Sequence, residues 1–199
     1  MKLEGFPVRL KTKGGGRQVT IRPMDPGDGP AVLEFYRGLP EEDRLFLRDD
    51  VTTPEWLERF VRSIDRETAI SLVAEREGKI VGNATLYRTR FGWTAHVAQI
   101  RVAVARELQR KGIGTALAHE LVRLAIGFGT EKLVAEVVDN QVGAKRAFEK
   151  LGFLPEAVLK GHVKDIHGIR RNLMILSSDV SHAWHAMEAL TSDYSPSRE

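Results

Sequence analysis

The run Gln109-Arg110-Lys111-Gly112-Ile113-Gly114 is where residue types and spacing point most directly to chemistry. Glycines let a backbone approach an anion closely, and the glutamine, arginine and lysine beside them add donors and positive charge. The run matters only if a strand delivers it and a helix follows. Residues 97–104 read as a buried strand, and Ile113, Leu117, Leu121, Leu124 and Phe128 recur at helical spacing with His119, Glu120 and Arg123 between them. Strand, glycine turn and helix in that order gather several N–H groups and the positive end of a helix dipole at one point, which makes an anion site. A dinucleotide fingerprint would need glycine where Leu117 stands, and a P-loop would need a Gly-Lys-Ser/Thr run that the sequence lacks.

Downstream, Val134-Ala135-Glu136-Val137-Val138-Asp139-Asn140 reads as a further core strand. Ala144, Ala147, Phe148 and Leu151 then form the apolar face of a second helix, stopped by Gly152 ahead of Phe153. Asn140 suits the N-cap of that helix, which begins near Val142. The loop follows the pattern Gln/Arg-x-x-Gly-x-Gly, and residues 140–153 follow Asn-x-x-Ala-x-x-x-(Tyr/Phe)-x-x-x-Gly-Phe. In both, and in the strand order across 97–153, the chain resembles the Gcn5-related N-acetyltransferases (GNAT).

The resemblance implies an α/β (α+β) fold of the acyl-CoA N-acyltransferase type, a mixed, mostly antiparallel twisted sheet flanked by helices. It also implies acetyl-CoA as co-substrate, with the pyrophosphate on Gln109, Arg110, Lys111, Gly112, Ile113, Gly114 and Thr115. Pantetheine would lie along Arg101, Val102, Ala103 and Val104, where the central strand splays from its neighbour. Asn140 would hydrogen-bond near the thiol end, with Ala147 and Phe148 on the cofactor side of the last helix. The acceptor would be a primary amine on a small molecule or a protein.

Catalytic residues are less plainly marked. Where many relatives carry a glutamate as base in the central strand, this chain has Ala98 or Gln99, and the tyrosine that serves as acid is replaced by Phe148. Neither replacement transfers a proton at neutral pH. His96, at the start of the central strand, and Glu136, on the adjacent one, are the remaining candidates for the base. A fold that binds acyl-CoA as a sensor or regulatory module, without turnover, is the alternative that these replacements leave open.

At 199 residues, 42% of them apolar, the chain has the size and composition of one domain with a sizeable core. The absence of cysteine rules out thiolate metal sites and a cysteine nucleophile, and the six histidines are scattered, so no metal is expected. A formal charge of +3, with basic residues mixed among acids, argues against a nucleic-acid binder. No apolar run approaches a membrane span, and 1–7 lack the apolar stretch of a signal peptide, so a cytoplasmic protein without membrane attachment is expected. A homodimer is the commonest assembly for such proteins.

The expected organisation has an N-terminal extension or hairpin at 1–18, turning at Gly14-Gly15-Gly16, an acetyltransferase domain at 19–178, and a short helix and polar, disordered tail at 179–199. Helices are expected over 31–37, with Pro30 in the first turn, and after Thr53, with Pro54 at N1 and Trp56, Leu57, Phe60, Val61 and Ile64 on one face. The resemblance implies that these two helices wall the acceptor cleft, where Phe35, Tyr36, Leu45, Phe46 and Trp56 either touch substrate or pack the core. Residues 69–74 and 80–87 read as a hairpin leading to the central strand, and 158–163 with 173–176 as a closing hairpin.

Overall fold

The computed structural model describes residues 3–11, 18–44, 47, 49–65, 67–165, 167–191 and 197–198. Nine strands form one sheet: β1 (Val8–Lys11), β2 (Gln18–Pro23), β3 (Ala69–Arg76), β4 (Lys79–Arg88), β5 (Val97–Val104), β6 (Lys132–Val138), β7 (Leu154–Lys164), β8 (Arg170–Asp179) and β9 (Ser197–Arg198). The helices are α1 (Gly29–Gly38), α2 (Glu41–Arg44), α3 (Pro54–Ser63), α4 (Ile113–Gly127), α5 (Val142–Lys150) and α6 (Val180–Thr191). The sheet order is β7-β8-β6-β5-β4-β3-β2-β1-β9, and every pairing is antiparallel except β5 with β6. That exception follows from connectivity, since α4 is the crossover that returns the chain to a parallel neighbour.

The sheet has two apolar faces. Alternation along each strand sends Ile70, Leu72, Ala84, Leu86, Ala98, Ile100, Leu133 and Ala135 to the face covered by α4 and α6. Val73 faces the other side, where α1 and α3 contribute Val32, Phe35, Tyr36, Trp56 and Phe60. Thr53 caps α3 as its sequence suggests, its hydroxyl accepting from the Trp56 N–H at 3.2 Å. Trp56 then stacks on Phe60 at 4.9 Å and meets Tyr36 edge-on at 5.1 Å. Arg22 pins the start of α1 by gripping both oxygens of Asp28, at 2.6 and 2.8 Å, while also reaching Glu75 on β3. The hydrogen bond from Arg22 holds the Asp28 carboxyl below its usual range.

Several expectations change. The intervening His119 and Glu120 of α4 are only 5% and 2% exposed. Helix α6 lies over them: His119 stacks on Trp184 at 4.6 Å, and Glu120 accepts from Arg123 at 2.7 Å. Position 140 is not the N-cap of α5; Gln141 stands there, and Asn140 is exposed in the preceding turn. The closing hairpin extends beyond 158–163 and 173–176, because Leu154 to Ala157 of β7 and the polar ends of β8 continue the ladder. Tail residues Ser197 and Arg198 pair with Arg9 and Val8, so at least this part is ordered as a sheet edge. β1 and β2 pair as the expected hairpin; Gly14-Gly15-Gly16, Leu45 and Phe46 lie outside the described residues. No helix among the described residues is long and apolar enough to cross a membrane.

Candidate active site

The sheet opens between β5 and β6. These strands pair only at Val97↔Lys132, Ala98↔Leu133 and Gln99↔Val134. Beyond that rung β5 stays on β4 as far as Val104 opposite Gly82, and β6 stays on β8 as far as Val138 opposite Leu173. Each strand is held along its length by an antiparallel neighbour, and sheet twist carries the two ladders apart. Backbone groups of residues 101–104 that point away from β4 therefore meet no strand. Such an edge can take an extended, amide-bearing chain as an added strand.

Past the end of β5, one 3-10 turn (Arg106–Leu108) leads into the glycine loop, and the Gln109 amide donates to the Val104 carbonyl at 3.3 Å. Arg110 and Gly112 both adopt left-handed backbone, with φ of 60° and 89°, a turn that gathers successive N–H groups on one side. The first bond closing α4 runs from the Ala116 N–H to the Gly112 carbonyl at 2.9 Å. The N–H groups of 110–115 make no hydrogen bond among the described residues. A Cβ at Gly112 would meet nothing within 4 Å, so the space in front of the loop is open. Unspent donors, a helix N-terminus without an acid in its first turn, and open space fit a pyrophosphate.

On the α1 and α3 side of the opening lies a cavity of about 890 Å³. Its walls include Tyr36 and Trp56, Tyr87 from β4, Gln99 and Arg101 from β5, Glu136 from β6, and Phe148 from α5. Beneath them runs a buried polar network. Tyr36 donates to Asn83 Oδ1 at 2.8 Å, Asn83 donates to Ser71 Oγ at 2.8 Å and to the Leu72 carbonyl at 2.9 Å, and Ser71 meets Thr85 at 3.2 Å. Burial pushes the Tyr36 phenol above its ordinary value, with Tyr87 adding to the shift and Arg101 opposing it. The network ties α1 to β3 and β4 along this wall.

Of the residues read from the sequence, the cavity gathers Arg101, Val102, Ala103, Glu136 and Phe148, while Val104 packs into the α4 core. Ala98 points into that core and Gln99 into the cavity, so Gln99 is the central-strand position at issue. Its Nε2 is buried without a hydrogen-bond partner among the described residues. Asn140 and Ala147 are exposed and outside the cavity; Gln141 and Ala144 stand at its wall instead. The Gln141 side chain accepts from the Val138 N–H at 2.9 Å. His96 is exposed at the far end of β5, outside the cavity, where its carbonyl accepts from Glu131 and Lys132. Glu136 enters the cavity and forms no ion pair among the described residues. Tyr87 escaped the sequence reading, and Arg101 entered it only for its backbone, although strand alternation already sets 99 and 101 on one face, opposite Ala98 and Ile100.

Comparison with known proteins agrees with this geometry. Over 166 residues the chain is 26% identical to YwnH of Bacillus subtilis (strain 168), which carries a provisional phosphinothricin acetyltransferase name; the match covers 82% of this chain and 100% of YwnH. Its fold matches the crystal structure of ribosomal-protein-alanine N-acetyltransferase from Brucella melitensis with a TM-score of 0.70 at 25% identity, covering 80% of this chain and 98% of that one. The fold also matches Salmonella typhimurium yncA, solved with its cofactor acetyl-CoA, with a TM-score of 0.69 at 23% identity over 81% of this chain and 94% of that one. The family model for "Acetyltransferase (GNAT) family" matches residues 31–153, which span α1, the splayed strands, the glycine loop and α5. The chain therefore belongs to the GNAT acetyltransferases, enzymes that use acetyl-CoA as co-substrate.

Proposed function

We propose that this chain transfers an acetyl group directly from acetyl-CoA to a primary amine, with Glu136 as the proton acceptor. The observation that carries the reading is the Glu136 carboxylate in the cavity just past the point where β5 and β6 separate. The N–H groups of 110–115 would hold the pyrophosphate and the free edge of 101–104 the pantetheine, which brings an activated acetyl group to the cavity. Gln141 takes the place that the sequence suggested for Asn140.

Chemistry then needs a neutral amine. Its nitrogen attacks the thioester carbonyl, the C–N bond forms, the C–S bond breaks, the amine proton passes to Glu136 and CoA leaves as the thiolate or thiol. With no cysteine to hold an acyl group, transfer in one ternary complex is favoured. Placing both substrates together contributes up to roughly 7 to 11 kcal/mol, and a positioned base about 10² to 10⁴ in rate. A lysine amine with a pKa near 10.4 is neutral about one time in a thousand at pH 7.4, a cost of about 4 kcal/mol; an α-amine near 7.7 is neutral about a third of the time. With glutamine at 99 and phenylalanine at 148, weak base assistance favours a low-pKa amine or gives a rate that keeps climbing well above pH 8. Relatives named for phosphinothricin and for ribosomal-protein alanine allow either a small molecule or a protein as acceptor.

Measuring CoA release with a panel of amines tests the reading. Glu136→Gln should lower kcat by about 10² or more while the acetyl-CoA-dependent melting shift persists. His96→Ala should change neither. Full turnover by Glu136→Gln would remove it as the base, and acetyl-CoA binding without CoA release from any amine would indicate a sensor.

A further inference from the structure

Resting on that acetyl-transfer reading, we infer that the acceptor is an α-amino acid, or a similar small amine with an anionic group beside its nitrogen, and that Arg101 is the residue that selects it. The last rung between the splayed strands is Gln99↔Val134. Two residues further along each strand, on the same face, stand Arg101 and Glu136. In a sheet that stayed paired they would be neighbours, because strands lie about 4.8 Å apart. Here the strands have separated. Both side chains line the cavity, half-buried, and no ion pair joins them or engages either one among the described residues.

Arg101 is held without being consumed. Its guanidinium lies over the Tyr87 ring, 4.9 Å from the centroid, and its N–H groups make no hydrogen bond among the described residues. A planar fork of donors in that state matches a carboxylate or phosphinate by two parallel hydrogen bonds. The remaining charged groups around the cavity are placed differently. Asp49, Arg59 and Lys164 are exposed at the rim, as is His162, and Asp165 is buried but already accepts the N–H groups of His167 and Ile169 at 2.9 Å. The inner part thus presents one cation and one carboxylate, held apart.

That pair is complementary to a zwitterion. An acid group on Arg101 would set the adjacent nitrogen toward Glu136; the ammonium loses one proton to solvent to give the neutral amine that attacks, and Glu136 takes the second proton as the C–N bond forms. An N-terminal peptide amine or a polyamine has no anion beside its nitrogen and would leave the guanidinium partly desolvated and unpaired. Discrimination of this kind is large when a site's polar group is left without its partner.

The test compares free amino acids with their own carboxamides, alongside spermidine and a peptide with N-terminal alanine, by CoA release at saturating acetyl-CoA. The expected result is a kcat/KM about 10 to 100-fold higher for the best acid than for its amide, carried mainly by KM. Amidation lowers the pKa of the neighbouring amine, so reactivity alone would favour the amide and cannot imitate this result. Arg101→Gln should bring the ratio near one and Arg101→Lys should retain part of it, with the acetyl-CoA melting shift reporting on folding in each variant. Equal rates on acid and amide in the unmodified protein, or an unchanged ratio in Arg101→Gln, would overturn the assignment. If no amine releases CoA although acetyl-CoA binds, the transfer reading fails first and this assignment with it.

Discussion

Replacing Gly114 by alanine should separate the stability of the fold from its capacity to bind acetyl-CoA. Gly114 is the second residue of α4, and a Cβ there would meet only Val104 Cγ2, at 3.5 Å, an ordinary contact. Alanine in place of glycine inside a helix is worth about 0.5 to 1 kcal/mol, so the unliganded variant should melt at the same temperature or a few degrees higher. With the pyrophosphate on the N–H groups of 110–115, a methyl group at 114 would crowd it and lengthen its hydrogen bonds. Hydrogen bonds to a charged group contribute about 1.5 to 3 kcal/mol each, so loss of one lowers affinity by roughly 10 to 150-fold. At about 100 times the dissociation constant, acetyl-CoA stabilises the unmodified protein by about 2.7 kcal/mol; after a 100-fold loss of affinity the same concentration contributes only about 0.4 kcal/mol. Gly112→Ala is the contrast. Its φ of 89° makes any side chain strained by about 1 to 2 kcal/mol although space is open, so the unliganded protein itself should melt lower. Scanning fluorimetry with and without acetyl-CoA reads both effects. A full acetyl-CoA shift in Gly114→Ala would refute pyrophosphate binding on this loop, and a strongly destabilised unliganded variant would refute the packing argument.

Two further substitutions test the frame around the cavity. Tyr36→Phe leaves Asn83 Oδ1 without its donor in a buried network, so stability should fall by roughly 1 to 3 kcal/mol in thermal or urea melts; an unchanged melt would mean that the network does not hold the wall. Asp65 caps the turn before β3: although partial desolvation raises its pKa, hydrogen bonds from the Thr68 hydroxyl and the N–H groups of Glu67, Thr68 and Ala69 outweigh it and hold the carboxyl well below the usual range. Because the folded-state value is depressed, the stabilisation is present above about pH 4 and is lost as pH falls through the folded value. Asp65→Asn should therefore melt a few degrees lower at pH 7, and the gap should narrow progressively as pH falls below about 4 toward the folded value; a gap of the same size at pH 7 and at pH 2 would contradict the assignment.

The part of the site built within one continuous segment was legible in the sequence. Gly112 and Gly114 sit between a strand of alternating burial and a helix with apolar residues at i, i+4 and i+8, and each feature depends on near neighbours. The cap of α3 was readable for the same reason, from Thr53 and Pro54. Where the reading changed, the cause lay in another element. His119 and Glu120 are buried because α6 returns across α4, and nothing between 113 and 128 encodes that return. Asn140 gave way to Gln141 because the turn after β6, closed by the Gln141 N–H on the Val138 carbonyl, leaves 141 directly before Val142. Ser197 and Arg198 are ordered because β1 leaves an edge to pair with.

The choice between His96 and Glu136 is of the same kind. Both are titratable side chains next to core strands, and local spacing gives neither an advantage. Their difference arises where β5 commits to β4 and β6 to β8, so that twist opens the sheet after Gln99 and Val134. Glu136 and Arg101 lie past that point and face the cavity, whereas His96 lies at the closed, outer end. Family, fold class and the strand, glycine turn and helix of residues 97–127 follow from the sequence by itself, because hydrogen-bonding geometry and hydrophobic period are local properties. The placing of two opposite charges across a gap was decided only by tertiary structure, because it depends on which strands remain paired and which part.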